Sequence, residues 1–256
     1  MSVSVIPINA FDDNYIWCIH NQTHCVVVDP GDAAPVLRYC DDNQLTLSAI
    51  LITHHHWDHT DGIDQLLSRF TGIPVYGPQN QKIQQVTVRL SDQEKITVEA
   101  LGIDFTVIEV PGHTLDHIAY YGNIGLFCGD TLFSAGCGRL FEGSPQQMQQ
   151  SLAKLTALPA NTTVYCTHEY TLANIAFAET VEPNNQALIE FKSWAEQQRN
   201  KNIPTLPTNL QRELQVNPFL RCDSEELVEN VSQQSGTALS SKETVFAALR
   251  SWKDIF

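Results

Sequence analysis

The sequence predicts an α+β protein, with a β-rich N-terminal domain over residues 1–167 and a smaller, all-helical C-terminal domain over residues 168–256. Short runs rich in Val, Ile, Tyr and Phe, closed by Gly, Pro, Asn or Asp, recur through the first two-thirds of the chain. Helical segments lie between some of them, which suggests packed sheets with helices outside. Beyond residue 167 the apolar spacing changes to the helical period.

In order, Val3–Ile8, Tyr15–Ile19 and Cys25–Val28 read as strands, the third stopped by Asp29-Pro30-Gly31. Pro35–Cys40 reads as a short helix with proline in its first turn. Ala49–Thr53 is an apolar strand that runs straight into a histidine cluster, and Ile63–Phe70 reads as a helix. Phe105–Val110, Ile118–Tyr121, Leu126–Cys128 and Thr163–Cys166 are the later strands. Leu172–Val181 and Gln186–Gln198 are helical, Ile203-Pro204-Thr205-Leu206-Pro207 interrupts them, and Thr244–Lys253 is the last helix.

With 43% hydrophobic and 17% charged residues over 256 positions, the chain can bury a sizeable core. The formal charge of −14, from 15 basic and 29 acidic residues, weighs against a broad nucleic-acid footprint. No apolar run approaches the roughly 20 residues that span a bilayer. The start, Met1-Ser2-Val3-Ser4-Val5-Ile6, carries no basic and apolar pattern of a secretory signal. Seven cysteines, an odd number without a CxxC pair, make a poor disulfide framework and a poor thiolate zinc site. Reduced thiols in a cytoplasmic monomer that acts on a small molecule, without a nucleic-acid or membrane partner, are the expectation.

The chemistry lies in Thr53-His54-His55-His56-Trp57-Asp58-His59, where five ligand-type side chains occupy six positions after a strand. His54 and His56 alternate and can point one way, while Asp58 and His59 turn towards a second point. Imidazole with carboxylate suits zinc, iron or manganese. Two nearby histidines alone would more often be a surface cluster. Here His113, Asp130 and His168 follow strands in the same way, and the three together favour a metal site.

These motifs resemble the metallo-β-lactamase superfamily, whose signature is HxHxDH followed by a spaced His, Asp and His. Within it the chain is similar to the glyoxalase II, or hydroxyacylglutathione hydrolase, family. Phe11-Asp12-Asp13-Asn14-Tyr15-Ile16-Trp17, Val28-Asp29-Pro30-Gly31-Asp32, Gly129-Asp130-Thr131-Leu132-Phe133, Gly136-Cys137-Gly138-Arg139 and Phe141-Glu142-Gly143 carry the resemblance, as do His168-Glu169-Tyr170-Thr171 and Arg250-Ser251-Trp252-Lys253-Asp254. The resemblance implies an αββα sandwich with a small helical domain. It implies two divalent metal ions per chain, zinc foremost and iron or manganese otherwise. His54, His56 and His113 would hold one, Asp58, His59 and His168 the other, with Asp130 bridging. Asp130 stands where typical metallo-β-lactamases have a cysteine, which points away from antibiotic hydrolysis.

The implied activity is hydrolysis of S-(2-hydroxyacyl)glutathione, chiefly S-D-lactoylglutathione, by a metal-bridged hydroxide. The resemblance makes Asp58 and Asp130 the expected catalytic carboxylates, Asp58 as ligand and water orienter. Arg139, Arg250 and Lys253 would surround the glycine carboxylate of glutathione, with Tyr170 and Asn174 on the tripeptide backbone and Phe141 beside them. Phe141 replaces a tyrosine common in eukaryotic members, and Asp116 stands where a glycine is usual. His117 reads as a structural or outer-shell histidine, while His55, Trp57, His20 and His24 are left out of the site. The competing readings are a glutathione persulfide dioxygenase with a single iron, a superfamily nuclease that the acidic balance opposes, and a non-catalytic metal scaffold.

Overall fold

Residues 3–256 are described by a computed structural model; Met1 and Ser2, which open the segment read as carrying no secretory signal, lie outside them. The chain divides into two units, one running to Glu109 and resuming over Asp116–Gly129, the other made of Val110–Leu115 and Asp130–Phe256.

In the first unit β1 (Ser4–Ala10), β2 (Asn14–His20) and β3 (His24–Val28) pair antiparallel. Helix α1 (Ala33–Asp42) then returns the chain so that β4 (Thr46–Leu51) lies parallel to β3. Asp32 caps α1 by accepting from the Ala34 amide at 2.9 Å. A single turn, α2 (Trp57–Thr60), and α3 (Ile63–Arg69) lead to β5 (Val75–Pro78) and β6 (Val88–Leu90), each parallel to its predecessor in the sheet.

The burial pattern follows the pleat. Cys25, Val27, Leu47 and Ile50 pack with Ala33, Val36 and Cys40 of α1 and Ile63 and Leu66 of α3. Their alternates Val26, Val28, Ala49 and Leu51 are buried as deeply, so the parallel strands are covered on both faces. That is why Cys25–Val28 of β3 and Ala49–Leu51 of β4 read as apolar runs. Strands β7 (Lys95–Val98), β8 (Ile103–Glu109), β9 (Ile118–Gly122) and β10 (Gly125–Gly129) form an antiparallel meander. At the entry to β9 the Ile118 amide donates to Thr53 O at 2.9 Å, and within β9 the buried Tyr120 hydroxyl donates to Ile52 O at 2.9 Å.

The second unit begins with the two-residue strands β11 (Leu132–Phe133) and β12 (Gly136–Cys137). Helix α4 (Pro145–Thr156) starts with a capping box between Ser144 and Gln147. Strand β13 (Thr163–Cys166) precedes α5 (Thr171–Val181) and α6 (Gln186–Arg199), and pairs with the short β14 (Thr208–Asn209). Helices α7 (Leu210–Val216), α8 (Glu225–Ser235) and α9 (Lys242–Ile255) complete the chain. Ile175 and Ala178 of α5, Leu188, Phe191 and Ala195 of α6 and Val216 of α7 share one core with Ala135.

The strands read from the sequence are present with ends moved by a few residues. Besides the two-residue strands β11, β12 and β14 and the single turn α2, the elements not read from it are β5 to β7, α4, α7 and α8. The three strands are three or four residues long, and α4 is polar through Gln146, Gln147, Gln149 and Gln150, so neither periodicity stands out. The local signals at the start of α4 are the Ser144–Gln147 spacing and Pro145 in the first turn.

Two outcomes are expected. Ile50→Ala, in the core beneath α1 and α3, lowers stability by about 2–5 kcal/mol, read as a lower urea midpoint at unchanged slope. All seven cysteines are free and buried, and burial pushes the Cys137 thiol up to about 11 and Cys222 up to about 12. Ellman titration at pH 8 therefore finds essentially no reactive thiol in the native protein and seven after denaturation.

Candidate metal centre

In the first unit the donor loop starts where β4 ends. Asp29, past the end of β3 and at φ +53°, accepts from the Thr53 amide and the Thr53 hydroxyl, both at 2.8 Å. Because that hydroxyl donates to Asp29, its contact with His54 Nδ1 at 3.0 Å is one in which the ring donates. His54 Nε2 is then an acceptor, and it faces His56 Nδ1 at 3.1 Å. Two nitrogens on one tetrahedral ion at roughly 2.0–2.1 Å each lie about 3.3 Å apart, so the pair has the spacing of co-ligands. His59 is fully buried, with Nδ1 3.1 Å from Asp29 Oδ2 and Nε2 3.4 Å from Asp58 Oδ2. Asn14 donates to the same Asp58 oxygen at 3.0 Å.

The loop is packed too closely to admit larger residues. A Cβ on Gly31 would sit inside the Asp58 backbone carbonyl. Gly129, at φ +49°, would drive one into the Thr53 hydroxyl and the His117 ring. His117 itself stacks on His54, with ring centroids 4.6 Å apart at 15°. The residues left out of the site sit elsewhere. Trp57 is exposed against Phe11 at 5.2 Å, His55 pairs with Asp116 at 2.9 Å, and His20 contacts Tyr39 while His24 contacts Thr23.

In the second unit His113, Asp130 and His168 are all nearly buried. His113 Nδ1 lies 2.8 Å from the carbonyl of Arg139, which can only accept, so the hydrogen is on Nδ1 and Nε2 carries the lone pair. That Nε2 faces Asp130 Oδ2 at 3.5 Å, and His168 Nε2 approaches the same oxygen at 3.3 Å. A lone pair directed at a carboxylate is repulsive unless a cation lies between them. The donors of this unit thus fit a divalent ion.

The residues read as substrate contacts are all in this unit. Arg139 is exposed and reaches Asp254, with its guanidinium 3.4 Å from Oδ1 and 3.1 Å from the backbone carbonyl. Arg250 is buried rather than on a solvated helix face. It donates to Cys137 O at 3.0 Å, pairs with Asp254 at 3.0 Å and lies over Phe219 at 5.0 Å. Lys253 donates to Ala173 O at 3.3 Å, and burial followed by the nearby Arg250 charge lowers its pKa. Asn174 donates to Ser134 O at 3.0 Å. Tyr170 stacks on His168 at 4.7 Å, and Phe141 meets the His113 ring edge-on at 5.2 Å.

Residues 11–168 match the metallo-β-lactamase superfamily model, and residues 169–256 match the model described as the hydroxyacylglutathione hydrolase C-terminus. The hydroxyacylglutathione hydrolase of Nitrosomonas eutropha is 51% identical over 254 residues, covering 99% of each chain. That of Photobacterium profundum is 51% identical over 257 residues and covers 100% of each. The chain belongs to the hydroxyacylglutathione hydrolase family. The crystal structure of ETHE1 from Myxococcus xanthus matches at a TM-score of 0.65 and 23% identity, covering 100% of this chain and 99% of that one, which shows a shared fold. The αββα class with added C-terminal helices is therefore the fold of this protein. No helix among the described residues is long and apolar enough to cross a membrane.

Asp29, Asn14 and Thr53 were given no role by the sequence. Asp29 and Asn14 stand in segments that carried the resemblance, but nothing in their spacing tells that one holds Thr53 and the other Asp58. Asp29→Ala removes the acceptor for Thr53 and the neighbour of His59. It is expected to weaken metal retention about 10- to 100-fold, measured by chelator competition with the folded protein.

Proposed function

We propose that this protein hydrolyses S-(2-hydroxyacyl)glutathione, chiefly S-D-lactoylglutathione, to glutathione and D-lactate, the second step of methylglyoxal detoxification. The observation that carries it is the carboxylate oxygen of Asp130 set between the ring nitrogens of His113 and His168, each at cation-sharing distance. Full-length identity of about half with relatives named hydroxyacylglutathione hydrolase supports the substrate class.

His54, His56 and His113 would hold one divalent ion and Asp58, His59 and His168 a second, with Asp130 shared. Zinc suits the set best, and iron or manganese suits it too. Bound there, the ions supply a hydroxide at neutral pH and an electrophile for the thiolester carbonyl. The chain's own residues orient this chemistry. Asn14 holds one oxygen of Asp58 and so fixes the orientation of its carboxylate. The Arg139 carbonyl and Thr53 fix the tautomers of His113 and His54 so that Nε2 of each ring is the donor. The leaving thiolate needs no protein acid, since a thiol of pKa about 8.5 can depart as the anion and take its proton from solvent.

Arg139, Arg250 and Lys253 would take the glycine carboxylate of glutathione, which then competes with Asp254 for the two guanidinium groups. Tyr170, Asn174 and Phe141 would line the tripeptide. Residues 1–167 then form the metal-binding domain and residues 168–256 the substrate-binding domain, a division supported by the ranges of the two matched models. Seven free thiols support a cytoplasmic site of action, and we read the protein as a monomer.

The test is hydrolysis of S-D-lactoylglutathione followed by thiol release, with metal content measured on the same sample. Turnover with two ions per chain is expected; one iron with oxygen uptake would indicate the persulfide dioxygenase instead. Asp130→Ala is expected to abolish turnover, and near-normal activity with two ions retained would remove its bridging role. Arg139→Ala, exposed and far from the core, is expected to raise KM several-fold at nearly constant kcat, because it binds ground and transition states alike.

A further inference from the structure

Asp116 departs from the glycine usual at its position, and its surroundings give it a task. The donor loop and the segment entering β9 run past each other in antiparallel register. Ile118 N donates to Thr53 O at 2.9 Å, the His117 ring stacks on His54 at 4.6 Å, and Asp116 Oδ1 lies 2.9 Å from His55 Nδ1. Three consecutive residues thus grip three consecutive residues, and the third rung exists only because position 116 carries a carboxylate.

That rung is tied to a third segment. Asn80 donates to the other Asp116 oxygen at 2.8 Å, and Asn80 Oδ1 accepts from the Lys82 amide at 2.9 Å. Lys82 Nζ lies 3.3 Å from His55 Nε2, so the four residues close a ring that passes through the Lys82 backbone amide. With the ammonium donating to Nε2, the hydrogen of His55 is on Nδ1, where Asp116 accepts it. The loop after β5 that supplies Asn80 and Lys82 is itself fastened. Arg89 on β6 donates to the carbonyls of Pro78, Asn80 and Ile83. His55 and Asp116 are both about nine-tenths buried, which limits screening of the pair.

We propose that Asp116 is a positioning residue of the metal centre. Acting through His55, it clamps the donor loop and so holds His54 and His56 at their co-ligand spacing. The proposal rests on the metal-centre reading above. His55, which lies between two donors in sequence, is then the handle by which the loop is held. A glycine at 116 leaves the loop with the two inner rungs alone.

The experiment measures zinc affinity by competition with a chromophoric chelator at fixed pH for the wild type, Asp116→Gly, Asp116→Asn, His55→Ala and the double variant Asp116→Gly/His55→Ala. Urea midpoints of the metal-free forms are followed in parallel. Asp116→Gly is expected to bind zinc about 10-fold more weakly, the range set by outer-sphere partners of metal ligands. Asp116→Asn, which keeps an acceptor for His55 Nδ1, recovers most of that loss. The double variant is no weaker than His55→Ala alone, because the two residues act as one unit. Zinc affinity in Asp116→Gly equal to wild type overturns the proposal, as does additive loss in the double variant. A fall in urea midpoint that accounts for the whole change in affinity also overturns it. A wild type that takes up no divalent ion overturns the metal-centre reading, and the proposal with it.

Discussion

The carboxylate of Asp29, buried past the end of β3, accepts from the amide and hydroxyl of Thr53 and lies 3.1 Å from His59 Nδ1. It thereby cross-ties the ends of two adjacent parallel strands and orients donors at both ends of the histidine loop. The Thr53 hydroxyl, committed to Asp29, sets the tautomer of His54. Burying a carboxylate is costly unless hydrogen bonds compensate, and holding a non-glycine residue at φ +53° adds to the cost. The close approach of Gly31 to Asp58 and of Gly129 to Thr53 follows from the same arrangement, since the loop can be held this tightly only where side chains are absent.

The second unit uses a comparable device. Glu213 on α7 is fully buried, and burial raises its pKa although four donors oppose the shift. Those donors are the hydroxyls of Ser134 and Thr208, the Ala135 amide and the Asn217 amide group. Asn217 also donates to the carbonyls of Phe133 and Gly136. The turn between β11 and β12, with Ala135 at φ +55°, is thus fixed from beneath by helix α7 and the residue after it. Phe133, at its start, packs edge-on against both His168 and Tyr170. In each unit a buried carboxylate holds backbone; in the first that backbone leads into His54, and in the second it carries Phe133, which packs on His168.

Much of the fold was legible because its central strands are covered on both faces and therefore read as apolar runs, as β3 and β4 do. The short polar elements were not legible. β5 to β7 are too brief for a period to emerge, and α4 presents glutamines where a helix reader looks for apolar repeats. For the candidate centre, His54, His56, Asp58 and His59 stood out because ligand types crowd one strand end. Arg250 was legible only as a carboxylate contact implied by resemblance, and its hydrogen bond to Cys137 and its place over Phe219 were not, since these contacts join residues more than thirty positions apart.

Sequence alone determined the inventory of donors, their place at strand ends and the family to which they belong. These are properties of residue type and local spacing, which the chain carries whatever its neighbours are. Tertiary structure decided which nitrogen of His54 and of His113 carries the lone pair, which oxygen of Asp58 is held and what Asp116 does in place of a glycine. Those outcomes depend on hydrogen bonds between Thr53 and Asp29, 24 positions apart, and between His55 and Asp116, 61 positions apart. A hydrogen bond assigns a proton only when both partners are in place, and here the folded backbone brings them there.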